Sequence, residues 1–199
     1  MNESCVVQTY TSKSFDIVNP TTETIVIRDI AHSLFLKCRF GGHSTCFYSV
    51  AQHSLLVADL LYNLGEKPIY GLLHDAAEAY VGDMSRPFRH LLQRKYKCDI
   101  GEVENNILKK LYEKIDVPFP NADDWKMVKL ADNMALYMEA NIFLNKLIKE
   151  WKFELTKEEM ETARSLTDSR KLLPLLPLDA ENMFMGEFKN LTGIRRTWL

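Results

Sequence analysis

His74 and Asp75 stand side by side within Tyr70-Gly71-Leu72-Leu73-His74-Asp75-Ala76-Ala77-Glu78-Ala79-Tyr80, an otherwise apolar stretch. Ionisable groups placed there cost free energy unless they are paired or hold a metal. Glu78 follows His74 by four residues and Asp75 by three, the spacing that sets all three on one side of a helix. His53 interrupts a second apolar run, Val50-Ala51-Gln52-His53-Ser54-Leu55, and Asp132 a third, Leu130-Ala131-Asp132-Asn133-Met134-Ala135. Two imidazoles and two carboxylates from three helices form a donor set for a divalent metal. Nitrogen and oxygen donors without thiolate suit Zn, Mn, Fe, Co or Ni. A metal so held lowers the pKa of its water and yields hydroxide near neutral pH, with Glu78 close enough to move protons. Each residue alone also has a plainer reading. A buried histidine is more often a hydrogen-bonded core residue, and a mid-helix aspartate often ties two helices together. Spacing alone leaves both readings open.

The elements that must position these groups are mostly helical. Ile27, Ile30, Ala31, Leu34 and Cys38 recur at three- and four-residue steps, predicting a helix from about Val26 that Gly41-Gly42 breaks. Ser49 and Gln52 have capping-box spacing at the start of a second helix, which Gly65 ends. Pro68 suits the first turn of a third, running from Ile69 through Val81 to a stop at Gly82. Pro87 opens a short basic helix. Ile100, Val103, Ile107, Leu111 and Ile115 mark an amphipathic one over 99–115, and Pro118-Phe119-Pro120 a loop. A long helix is expected from about Ala122 to Glu150, then weaker ones near 157–169 and 179–191. Alternation around Phe15 and Ile17, ended by Pro20, predicts one arm of a small N-terminal hairpin. The expected fold is all-α for the most part: one helical bundle over 1–199, with a core of about 8–150 and a C-terminal helical extension over 151–199.

The chain has 199 residues, 46% hydrophobic and 26% charged, enough to bury a core without staples and unlike a disordered or low-complexity protein. Its net charge of -2 supplies no global field for DNA or an anionic membrane. Cys5, Cys38, Cys46 and Cys98 form no C-x-x-C pair, so four free thiols in a reducing compartment are expected. The opening residues lack a signal-peptide pattern, and no run of about 18 apolar residues occurs. The expected location is the cytoplasm.

The order His53, then His74-Asp75, then Asp132 resembles the H…HD…D signature of the HD-domain metal-dependent phosphohydrolases. The flanking blocks Cys38-Arg39-Phe40, Tyr48-Ser49-Val50-Ala51-Gln52-His53-Ser54 and Leu73-His74-Asp75-Ala76-Ala77-Glu78-Ala79-Tyr80-Val81-Gly82-Asp83 are similar to the branch containing bacterial 5′-deoxynucleotidases and phage dATP triphosphohydrolases. The likeness spans roughly residues 8–145. It implies that His53, His74, Asp75 and Asp132 hold the metal, Zn, Co or Mn before others. It implies that Glu78 is the catalytic acid/base. Asp83 would sit near the leaving oxygen or an accessory Mg, and Arg39 would reach the substrate phosphate. Phe40 stands where the deoxynucleotidases carry tryptophan against the sugar. Met84-Ser85-Arg86-Pro87 departs from a more proline-rich turn, with Arg86 at the phosphate end.

His43, after Gly41-Gly42, is read as a substrate contact or a loop-fixing hydrogen bond, and His32 as structural. Arg86, Arg89, His90, Arg94, Lys95 and Lys97 form a basic run, either a solvated face or a rim that draws in polyphosphate. Trp125, Trp151 and Trp198 are read as packing residues. The resemblance implies a dNTP triphosphohydrolase preferring dATP and releasing deoxynucleoside and triphosphate, acting in a host cytoplasm if phage-encoded. A 5′-deoxynucleotidase acting on dNMPs is the alternative, and a non-catalytic nucleotide sensor or a nuclease stands further off. A homo-oligomer is expected, with no stable nucleic-acid partner and no membrane.

Overall fold

A computed structural model describes residues 5–195, so Trp198 and the first four residues lie outside the described part. Helix α2 (Val50–Asn63) is buried on nearly every side, and the other elements are arranged around it. Ser49 starts it by accepting a hydrogen bond from the Gln52 backbone N–H at 3.1 Å. The Gln52 side chain does not return to close a capping box. It reaches the C-terminal segment instead, donating to the carbonyls of Lys171 and Leu173 and accepting from Leu175 N at 3.0 Å.

The protein is mostly α, with a small antiparallel hairpin of β1 (Val6–Gln8) and β2 (Ser14–Asp16) at its N-terminal end, in register Val7↔Phe15. Buried Phe15 stacks on Tyr80 at 3.7 Å. Thr11 at the hairpin tip binds the buried Asp29 carboxylate through both its N–H and its hydroxyl, which ties the hairpin to α1 (Ile27–Leu36). The α1 stripe of Ile27, Ile30, Ala31 and Leu34 is buried as expected. The helix stops at Leu36, short of Gly41-Gly42. Cys38 leaves it to form a bridge with Ser49.

One continuous helix over 69–81 is not what forms. α3 (Pro68–Leu73) ends before His74, residues 74–77 make turns, and α4 (Glu78–Val81) follows. The cause is local. The His74 ring donates from Nδ1 to the Gly71 carbonyl at 2.7 Å, and the next amides bond three residues back, Ala76 N to Leu73 O and Glu78 N to Asp75 O. Gly71 matters a second way. A Cβ there would lie 2.9 Å from the Ala58 backbone, so glycine is what lets α3 press against α2.

α5 (Arg86–Tyr96), α6 (Ile100–Lys114) and α7 (Ala122–Phe143) follow. α7 starts with a full capping box at Asn121 and ends at Phe143 rather than near Glu150. α8 (Lys157–Leu166) has a second box at Thr156. α9 (Pro177–Thr192) returns to α1, α2 and α3 and places Phe184 and Phe188 in the same apolar core as Leu60 of α2 and Leu111 of α6. No described helix is long and apolar enough to cross a membrane. The four cysteines are free, three of them exposed.

Candidate metal centre

α2, the α3–α4 turn and α7 each deliver one part of the centre. His53 is fully buried on α2 and opposes Glu139 of α7, also fully buried. Its Nδ1 lies 2.7 Å from Glu139 Oε1. A carboxylate can only accept, so Nδ1 carries the proton and, in the neutral ring, Nε2 keeps its lone pair. The same logic fixes His74, whose Nδ1–H is committed to the Gly71 carbonyl. Among the described residues, His53 Nε2 and His74 Nε2 are both buried with no hydrogen-bond partner. Leaving two such atoms buried is costly unless something binds them.

Both orphaned nitrogens face the same carboxylate. Asp75 Oδ2 is 3.2 Å from His74 Nε2 and 3.6 Å from His53 Nε2. Among the described residues, His53, His74 and Asp75 each offer one donor atom within 4.8 Å of the others, and this group can hold a metal ion. Asp132, the fourth expected donor, comes from α7 with Oδ1 3.2 Å from His53 Nε2, while its Oδ2 is 3.8 Å from Arg86 Nη2. The donor set fits a cation: both imidazoles are held in the tautomer that a metal needs, and their outer nitrogens are fixed by a carboxylate and a carbonyl.

In the metal-free protein the same carboxylates draw protons to the two rings, which a bound metal would displace. Burial and Arg39 both work against a proton on His53, yet Glu139 and Asp132 outweigh them and push its pKa up to about 9. Burial opposes charge on His74 too, and Asp75 more than offsets it, so His74 is also raised. Asp75 and Asp132 are held below the usual carboxylate range despite burial, by His74 and His53 for the first and chiefly by His53 for the second. Such a surplus of carboxylate draws positive charge to one point.

Arg39 bridges this network. Its Nη2 donates to Glu139 Oε2 at 3.1 Å and its Nη1 lies 3.9 Å from Asp75 Oδ2. Burial works against its charge, and Glu139, Asp75 and Asp132 outweigh that and hold it on. The backbone continues into Phe40 and Gly41 in the left-handed region, at φ 58° and 59°. A bulky side chain there is strained. The Phe40 ring sits 6.2 Å from that of Trp151, while His43 is exposed and its backbone N–H closes the turn onto Phe40 O.

Glu78 is buried at the start of α4, and burial together with Asp75 and Asp83 pushes its pKa well above the usual carboxylate value. Its Oε2 has no hydrogen-bond partner among the described residues, and Oε1 lies 3.6 Å from Arg89 Nη2. Asp83 is half-buried just past the left-handed Gly82, its pKa raised by burial and by Asp75 against the pull of Arg39. From the basic run, Arg89 forks onto Glu104 and Arg86 reaches Asn133 Oδ1 at 3.2 Å and, more loosely, Asp132. His90, Arg94, Lys95 and Lys97 are exposed. His32 lies elsewhere, stacked on Tyr10 at 3.6 Å and beside Glu181.

The sequence reading omits Glu139. Nothing around Met138-Glu139-Ala140 marks it, and its partners lie 86 and 100 residues away along the chain. A cavity of about 310 Å³ opens beside the centre, with His74, Asp75, Glu78 and Asp132 at one end.

No family model matches the chain. It is 33% identical over 190 residues to the uncharacterized protein YfdR of Escherichia coli, covering 96% of this chain and 97% of that protein. The chain belongs to the YfdR family. A second relative, an uncharacterized protein of Rhodobacter capsulatus, is 33% identical over 137 residues, covering 64% of this chain and 67% of its own length. The alignment to YfdR is long enough to span the centre from α2 to α7 and to reach into the C-terminal helices.

Proposed function

We propose that the chain is an HD-domain metal-dependent phosphohydrolase acting on deoxynucleotides, its leading substrate a deoxynucleoside triphosphate such as dATP. One observation carries the proposal: two buried Nε2 atoms, each with its Nδ1 committed elsewhere, face one carboxylate oxygen. His53, His74, Asp75 and Asp132 would hold the metal, with Zn, Co or Mn suited to the nitrogen and oxygen donors, and Asp83 would serve near the leaving oxygen or an accessory Mg. A metal bound there would supply Lewis-acid chemistry and lower the pKa of water at the centre.

The chain's own residues do the rest. Glu78, whose pKa burial and the neighbouring acids push up, would hold a proton at a carboxyl oxygen and give it to the leaving 5′ oxygen. Arg39 stays charged and offsets negative charge that builds on the phosphoryl group. Glu139 orients His53 and Arg39 at once. A second reading, hydrolysis of dNMPs, is favoured by the pairing of Arg86 and Arg89 with acidic groups, which leaves less free positive charge for a polyphosphate. The test is a product assay. Metal-loaded protein is incubated with dNTPs and dNMPs and the products resolved by phosphorus NMR. Triphosphate from a dNTP supports the leading reading, phosphate from dNMPs alone supports the second, and no product from any of them rejects hydrolysis.

A further inference from the structure

The cavity beside the centre is lined by the centre's ionisable groups, His74, Asp75, Glu78 and Asp132, and also by apolar side chains that no phosphate needs. Its floor is apolar, with Leu108 of α6 and Val128 of α7 both buried. One wall is the half-buried indole of Trp125, and Asn105 and Lys129 stand exposed at the rim. Trp125, Val128 and Asp132 lie on one face of α7 at i, i+3 and i+7. The indole is thus two helical turns, about 10 Å of axis, from the carboxylate at the centre. The edge-on ring of Phe119, 6.0 Å away, fixes the indole's position. Opposite, Gly101, Asn105 and Leu108 share one face of α6, and Gly101 adds no side chain to narrow the mouth. Arg39, Phe40 and His43 do not line this space.

A flat apolar wall, an apolar floor and an amide at the rim are what a planar heterocycle needs: a face to stack on and a partner for its polar edge. We propose that this cleft between α6 and α7 is the site for the nucleobase, stacked on Trp125 with its edge toward Asn105, while the phosphate lies at the metal centre. The sugar then spans the two turns between them. The proposal rests on the phosphohydrolase reading for the phosphate end. It places the base away from Phe40, which does not line the cleft and whose ring lies 6.2 Å from that of Trp151.

Nucleosides without phosphate separate the two claims. Titrated into metal-loaded protein carrying Trp151→Phe, they are expected to quench indole fluorescence saturably, and adding Trp125→Leu is expected to remove that quench. With the nucleotide that is turned over, Trp125→Leu should raise KM about tenfold, the size of one lost base–indole stack, while kcat moves less than about threefold. Should Trp125→Leu fold poorly, Asn105→Trp on the exposed rim fills the mouth and is expected to raise KM in the same way. Hydrolysis with no nucleoside quench and an unchanged KM in both variants overturns the cleft assignment alone. Nucleoside quench through Trp125 in a protein that hydrolyses none of the nucleotides overturns the phosphohydrolase reading and upholds the cleft.

Discussion

Glu139 is the side chain on which the centre's geometry turns. Glu139→Gln keeps the shape but removes the charge that fixes both the His53 tautomer and Arg39. Metal affinity is expected to fall about 10- to 100-fold, measured by competition with a chromophoric chelator. The fold is also expected to lose about 3 kcal/mol in urea melts, because Arg39 stays buried with its nearest acid gone. Asp75→Asn should leave the melting temperature close to that of the parent and abolish turnover; full activity would remove Asp75 from the centre. Glu78 gives a pH signature. Its pKa in the fold is above the ordinary 4.5, so the folded state holds the proton more tightly than the unfolded chain does. Its contribution to stability is therefore full below about 4.5 and is lost as pH rises through the folded value. In metal-free protein, urea melts from pH 5 upward should show Glu78→Gln losing less stability than the parent. Parallel curves would mean that Glu78 ionises as easily in the fold as out of it. His53, His74, Asp75 and Asp132 were legible in the sequence because a polar residue in an apolar run stands out. Glu139 was not, since a glutamate in a long helix reads as surface until a partner is placed against it.

Among the elements, the α2–α3 contact sets the distance between the two imidazoles, whose ring centres are 5.2 Å apart. Gly71→Ala would drive a methyl into the Ala58 backbone. The expected cost is about 1–3 kcal/mol of stability, with weaker metal binding because His74 moves with α3. A calorimetric melt and a metal titration on the same sample check both; unchanged values in each would show that α3 can shift without cost. Helix positions were legible from periodicity and punctuation, and Ser49 caps α2 as read from the sequence, whereas the caps Asn121 and Thr156 come from the structure alone. The break at 74–77 was hidden because it is made by a side chain, His74, competing for the Gly71 carbonyl. Composition does not record that competition. The early end of α7 was hidden too: residues 144–150 keep helix-compatible types, and the chain leaves the helix at Leu144 with an extended backbone.

For the whole molecule, the segment after 150 is part of the core. Phe184 and Phe188 are buried against the same cluster as α1 and α2, worth about 2–3 kcal/mol each on burial. A chain cut after residue 150 is therefore expected to lose cooperative unfolding and to bind an apolar dye; a sharp thermal transition in it would show that residues 8–150 fold alone. The sequence reading of this segment as an extension follows from its weak helical pattern, and the burial of α9 depends on a surface that α1, α2 and α3 form only together. Gln52 and His53 are neighbours on α2, one bound to the backbone of 171–175 and the other facing the centre. That adjacency sets an order of events during synthesis. The residues that would hold a metal leave the ribosome before the strap that holds their helix and the two phenylalanines that cover it. A nascent chain can gather these groups loosely, and Gln52 finds its partners only once the strap has been made, so a rigid centre is expected only in chains that extend past residue 175.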